Sequence, residues 1–75
     1  MAFLSQYGKQ CAGTDIDIFQ TLEAAKAACY ANIECGCIYD KRCDGAPWHI
    51  NKGSALTSSR EVYHSDKTCA WKLSK

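Results

Sequence analysis

No apolar run in this sequence approaches the roughly 18 to 20 residues that a bilayer crossing requires, so a spanning helix is excluded. There is no Asn-x-Ser/Thr site, because Asn32 and Asn51 are followed by Ile-Glu and Lys-Gly, and N-glycosylation of this segment is ruled out. A Cys-x-x-Cys pair is also missing, which removes the usual signature of a thiol redox enzyme or a zinc knuckle. The chain has a single proline, no internal repeat and no Pro/Gly-rich linker, so one unit spanning residues 1–75 is expected. The opening Met-Ala-Phe-Leu is too short for the apolar core of a secretory signal, and the chain reads as a mature domain or fragment.

Charge of one sign is lacking too. The formal net charge is +1, which gives no reason to expect nucleic-acid or membrane binding. Its distribution is uneven: Lys9 and Lys26 face Asp15, Asp17, Glu23, Glu34 and Asp40 in the first half. Lys41, Arg42, Lys52, Arg60, Lys67, Lys72 and Lys75 outweigh Asp44, Glu61 and Asp66 in the second.

What the sequence has in abundance is cysteine. Six in 75 residues is an even count at the density of a disulfide scaffold, in a size range where a hydrophobic core alone leaves folding near break-even. Such scaffolds persist in oxidising compartments, so a secreted or cell-surface location is expected.

Local patterning places a helix from about Leu22 to Ala31: Thr21 is a good N-cap, Glu23 suits the positive helix start, and alanine fills the middle. Leu22, Ala25, Cys29 and Ile33 fall on one stripe, and Asn32 suits a left-handed stop. Phe3 to Cys11 reads as an entry strand. Gly36 to Asp40 reads as a strand with Cys35, Cys37 and Tyr39 facing one way, and Lys41 and Arg42 form a turn beyond it. Trp48 to Asn51 follows, with His49 and Asn51 on the face opposite Trp48 and Ile50. Cys69, Trp71 and Leu73 alternate with Ala70 and Lys72 in a closing strand, and Ala55 to Thr68 is a long irregular stretch.

Six cysteines permit fifteen pairings. Proximity favours Cys29 with Cys35, Cys37 with Cys43 across a short hairpin, and Cys11 with Cys69 between the terminal strands. The order and spacing of Cys11-Ala-Gly-Thr-Asp15-Ile, Thr21-Leu-Glu-Ala-Ala-Lys-Ala-Ala-Cys29, Glu34-Cys35-Gly-Cys37-Ile-Tyr-Asp40 and Thr68-Cys69-Ala-Trp71-Lys72 resemble the PAN/apple family over nearly the whole chain. The resemblance implies an α+β fold, a small disulfide-rich antiparallel sheet cradling one α-helix, with a disulfide joining the termini and others tying the helix to the central strands. Apple domains usually carry two helix cysteines four residues apart. Ala25 stands where the first would be, and Cys43 supplies a cysteine elsewhere.

The resemblance further implies a non-catalytic extracellular module that recognises a carbohydrate or a protein. His49, Lys52, Arg60, Tyr63 and His64 are the candidate ligand-binding residues, since they offer aromatic faces and directional donors. Trp48 and Trp71 are assigned to the core. No cofactor and no metal are expected: Cys35, Cys37, Cys43, His49 and His64 have ligand chemistry but an atypical Cys-x-Cys spacing. His64-Ser65-Asp66 has the residue types of a hydrolytic triad, yet adjacent side chains point apart. The alternative is a disulfide-rich effector, a protease inhibitor or toxin-like domain, that presents Lys41-Arg42 between Cys37 and Cys43.

Overall fold

The computed structural model describes residues 2–63 and 67–74, the side chains of Ala2, Tyr63 and Ser74 apart. Seven strands and two helices follow in the order β1 (Ala2–Tyr7), β2 (Lys9–Cys11), β3 (Asp15–Phe19), α1 (Leu22–Ala31), β4 (Cys35–Asp40), β5 (Trp48–Lys52), β6 (Leu56–Ser58), α2 (Ser59–Tyr63) and β7 (Cys69–Ser74). Five strands form an antiparallel sheet in the order β1-β7-β4-β5-β3, and β2 pairs with β6 in a second, two-stranded sheet. This is the expected small disulfide-rich α+β architecture.

Helix α1 forms where the sequence places it. The Thr21 hydroxyl accepts the N–H of Ala24 at 3.1 Å, which satisfies one of the donors a helix start leaves open. The helix lies against β3, β4 and β5 and buries Ala25 and Cys29 completely, so small side chains let it approach closely. Its end differs from expectation. Asn32 is extended, with φ of −107°, and its side chain accepts the N–H of Glu34 at 2.9 Å. The chain therefore turns away before Ile33, which is 93% exposed instead of completing the apolar stripe.

On the helix face the core consists of Ala25, Cys29, Cys35, Ile38, Trp48, Ile50 and Leu73, with Phe3, Phe19, Leu22 and Trp71 packed around it. The buried Trp48 donates its indole N–H to the Gly45 carbonyl at 2.8 Å, so its polar atom is not stranded. Trp71 is half-buried, with the Lys26 ammonium 4.8 Å from its ring centroid. The opposite sheet face holds Cys11, Cys37, Tyr39 and Ala70, with Leu56 packed against them, and the β2–β6 pair covers it.

Two expected strands depart from regularity. The entry strand is two strands, because Gly8 adopts φ of +77° and sends β2 out of the main sheet. Strand β4 carries a bulge: Cys35 pairs with Lys52 and Cys37 with Asn51, leaving Gly36 as the extra residue. A Cβ at Gly36 would lie 2.5 Å from the Gly53 carbonyl oxygen, so only glycine fits. The bulge shifts side-chain parity by one. Cys35 joins the helix-side core while Cys37 and Tyr39 face the other way, contrary to the expected common face.

That shift decides the disulfides. Cys29 pairs with Cys35 as expected, but Cys11 pairs with Cys37 and Cys43 with Cys69. The expected Cys11–Cys69 and Cys37–Cys43 bridges are absent. Cys37 points at β2, which brings Cys11 to a Cα separation of 5.9 Å, and the β4–β5 turn carries Cys43 to within 5.0 Å of Cys69 beside it. No bridge joins the chain ends directly. Three further elements, β3, β6 and α2, lie where no regular structure is expected.

Loop-closure entropy ranks the bridges. Removing Cys11–Cys37 as a double alanine variant should cost about 3.5 kcal/mol, against about 2.4 kcal/mol for the short Cys29–Cys35 loop, as read by urea unfolding. Peptide mapping of the oxidised protein should recover the three pairs stated. Gly36→Ala should cost about 1 to 3 kcal/mol in the same unfolding measurement, because the new methyl meets fixed backbone.

Candidate functional site

The bulge at Gly36 also builds a polar corner. Beyond it, Tyr39 on β4 shares a sheet face with His49 and Asn51 on β5. Tyr39 and His49 are cross-strand partners, and their rings stack with centroids 4.7 Å apart and planes 11° from parallel. Asn51 is the cross-strand partner of Asp15 on β3. Three adjacent strands thus bring together four residues that lie up to 36 positions apart.

The centre of this corner is the Asp15 carboxylate. Tyr39 Oη donates to it at 2.9 Å from each oxygen, and Asn51 Nδ2 donates to Oδ1 at 2.9 Å and to the Gly13 carbonyl at 3.0 Å. His49 Nδ1 lies 3.3 Å from Asp15 Oδ2, within ion-pair reach but without hydrogen-bond geometry. Tyr39 and Asn51 are buried, whereas the Asp15 side chain is 43% exposed and that of His49 is 20% exposed. Buried donors therefore orient a carboxylate whose side chain stays partly open to solvent. Gly13 belongs to this frame: a Cβ there would collide with the Lys52 carbonyl oxygen and lie 2.8 Å from Asn51 Oδ1.

His49 also borders a second feature. A pocket of about 210 Å³ opens at the β4–β5 turn, lined by Lys41, Arg42, Asp44, Ala46, Pro47 and His49, with Asp40 at its floor. Asp40 is 1% exposed and spends its carboxylate on the turn: Oδ1 accepts the N–H groups of Arg42 at 3.2 Å and Cys43 at 3.1 Å, and Oδ2 accepts that of Gly45 at 2.8 Å. The Thr68 hydroxyl donates to the Lys41 carbonyl at 2.8 Å, and Cys43–Cys69 fixes the turn to β7. The exposed Lys41 and Arg42 are thereby carried on a rigid support.

Of the residues picked out in the sequence whose side chains the structure describes, only His49 enters this corner. Lys52 lies at the end of β5 and pairs with Glu34 at 3.2 Å, both more than half exposed. Glu34 belongs to a separate groove of about 340 Å³ with Ile33, Gly36, Gly53 and Leu73. Arg60 is an exposed residue of α2. Tyr63 ends that helix, its side chain outside the description, and His64 lies outside the described residues. Asp15, Tyr39 and Asn51 were not singled out. The signals available were the shared parity of His49 with Asn51 and the Asp-Ile-Asp-Ile alternation of β3, which marks an edge strand beside them.

All six cysteines are consumed in disulfides, so no thiol remains for metal or redox chemistry. Among the described residues, no three His, Cys, Asp or Glu side chains converge as metal ligands, and no helix is long and apolar enough to cross a membrane. No family model, curated protein or solved structure matches this chain.

Tyr39→Phe should leave the Asp15 carboxylate held by Asn51 alone. A loss of about 1 to 2 kcal/mol in urea unfolding is expected, since the deleted hydroxyl bonds an ionised acceptor from a buried position.

Proposed function

We propose that this chain is a non-catalytic recognition module of the extracellular space that binds a carbohydrate through the corner formed by Asp15 and His49. The observation that carries the reading is the half-exposed Asp15 carboxylate, oriented by the buried Tyr39 and Asn51. Sugars present hydroxyl donors on neighbouring carbons. A carboxylate that cannot rotate accepts them without the entropy cost of first ordering the acceptor. The adjoining pocket, with Lys41 and Arg42 on its rim, supplies donors for the acceptor atoms of the same ligand.

The three disulfides are compatible with an oxidising, extracellular setting. The resemblance to PAN/apple domains points the same way. The alternative, an effector presenting Lys41-Arg42 to a protease, rests on the rigidity of the β4–β5 turn. Lys41 and Arg42 sit inside a closed turn in which the Cys43 N–H bonds the Asp40 carbonyl at 3.2 Å. Protease clefts take extended segments, so the carbohydrate reading takes precedence.

A glycan array probed with the oxidised protein should give selective binding. Calorimetric titration of a hit should show Asp15→Asn and His49→Ala each weakening affinity by at least about tenfold, the scale of one lost charge-assisted hydrogen bond. A flat array, or a hit indifferent to both variants, would remove the reading. Micromolar inhibition of a trypsin-like protease would transfer support to the effector.

A further inference from the structure

The five-stranded sheet ends in two edges of opposite character. Strand β3 carries Asp15 and Asp17, has a register shift between them, and uses Asp17 Oδ1 to accept the N–H of Ile18 at 2.8 Å. Charge, irregular register and a side chain occupying a backbone donor are the devices by which an edge refuses a foreign strand. Strand β1 at the other edge has none of them. Its sequence, Ala-Phe-Leu-Ser-Gln-Tyr, contains no charge and no proline, and all six residues pair with β7 in unbroken register. Among the described residues, one side of that regular strand has no neighbouring strand.

Apolar surface gathers on the same edge. Among the described residues, Leu4 is 54% exposed and Tyr7 69% exposed, both on β1, and Tyr30, 41% exposed, rests edge-on against Phe3 of β1 with ring centroids 5.2 Å apart. An uncharged six-residue strand in regular register, flanked by exposed aromatic and aliphatic side chains, is a template for strand addition.

We infer that β1 is a pairing edge for a second copy of this chain, two β1 strands joining antiparallel about a two-fold axis to make one ten-stranded sheet. The charge pattern selects this occupant. A neutral strand meets its own copy without repulsion, and an antiparallel pair about a two-fold axis is self-complementary and closed. Pairing β3 with β3 would set two aspartates against two more, and pairing β1 with β3 would meet the guarded edge and leave an open-ended chain of subunits. The surface lies at the far edge of the sheet from Asp15 and does not rest on the carbohydrate reading.

Sedimentation velocity of the full oxidised chain, from low to high micromolar concentration, should show mass rising from one copy to two. Amide exchange at β1 should slow over the same range. The exposed-site variant L4K/S5K should weaken the dimer by at least about tenfold, because like charges then face each other across the new pair. Ile18→Lys on the guarded edge should leave it unchanged. Near-UV circular dichroism verifies the fold of each variant, with Ser5→Lys alone as the substitute should the double variant unfold. A monomer at every concentration, or a dimer insensitive to the β1 charges, overturns the inference. So does a monomer whose β1 amides become protected only on adding an extended apolar peptide, which would give the edge to a foreign strand.

Discussion

The one-residue bulge at Gly36 puts Cys35 and Cys37 on opposite faces of the central strand β4, and each face then acquires its own covalent clip. Cys35 holds α1 through Cys29 on one side, and Cys37 holds β2 through Cys11 on the other. Without the shift both sulfurs would face one layer, and the other layer would depend on packing alone. In a domain of 75 residues that is a weak dependence, because burial and conformational entropy nearly cancel. The bulge comes with a contact to a residue distant in sequence: a Cβ on residue 36 would lie 2.5 Å from the Gly53 carbonyl oxygen, so that position must be glycine. A hairpin end thus packs against the bulge of the strand that all three layers share.

The polar interior follows from the same economy. Asp40, Asn51 and Thr68 are almost wholly buried, which in a small core would be costly if their hydrogen-bonding groups were left open. Asp40 meets three backbone N–H groups of its own turn, and Thr68 closes onto the Lys41 carbonyl. The Asn51 amide nitrogen bridges the Gly13 carbonyl to Asp15, while its Oδ1 is buried without a hydrogen-bond partner among the described residues. In each case a buried polar side chain supplies hydrogen bonds where a loop lacks the regular ladder, and these tie down the β4–β5 turn and the loop before β3. The surfaces they carry, the Lys41-Arg42 rim and the Asp15 corner, are correspondingly pre-organised.

Helix α1 was legible because its signals are local: Thr21 caps it, alanines fill it, and Cys35 lies one turn beyond Cys29. The other two bridges were not, because each joins residues 26 positions apart: Cys11–Cys37 depends on a parity change made by a single glycine, and Cys43–Cys69 on where the β4–β5 turn comes to lie beside β7. Strand periodicity read straight through Gly36 put Cys37 on the wrong face, and proximity then favoured the wrong partner. Of the corner, the shared face of His49 and Asn51 could be read from alternation. The arrival of Asp15 could not, since it rests on β3 pairing with β5 at one register rather than on any spacing along the chain. Ile33 misled for a related reason: it continues the helical stripe, but Asn32 ends the helix in an extended conformation before that position is reached.

Sheet order connects the two surfaces. Asp15 lies on β3 at one edge and the uncharged β1 lies at the other. In a dimer closed through β1, the two Asp15 corners stand at the far ends of a ten-stranded sheet, nine strand spacings or about 40 Å apart along the hydrogen-bonding direction before twist is taken into account. Neither corner is covered by such an interface, and neither is changed by it. A site of the proposed kind, formed by one carboxylate and its supports, would bind weakly on its own. Two of them on one rigid sheet gain from effective concentration whenever a ligand repeats at a matching interval. If Asp15 marks the recognition corner and β1 the pairing edge, as proposed, the guarded edge would keep the corner open and the unguarded one would supply the second copy.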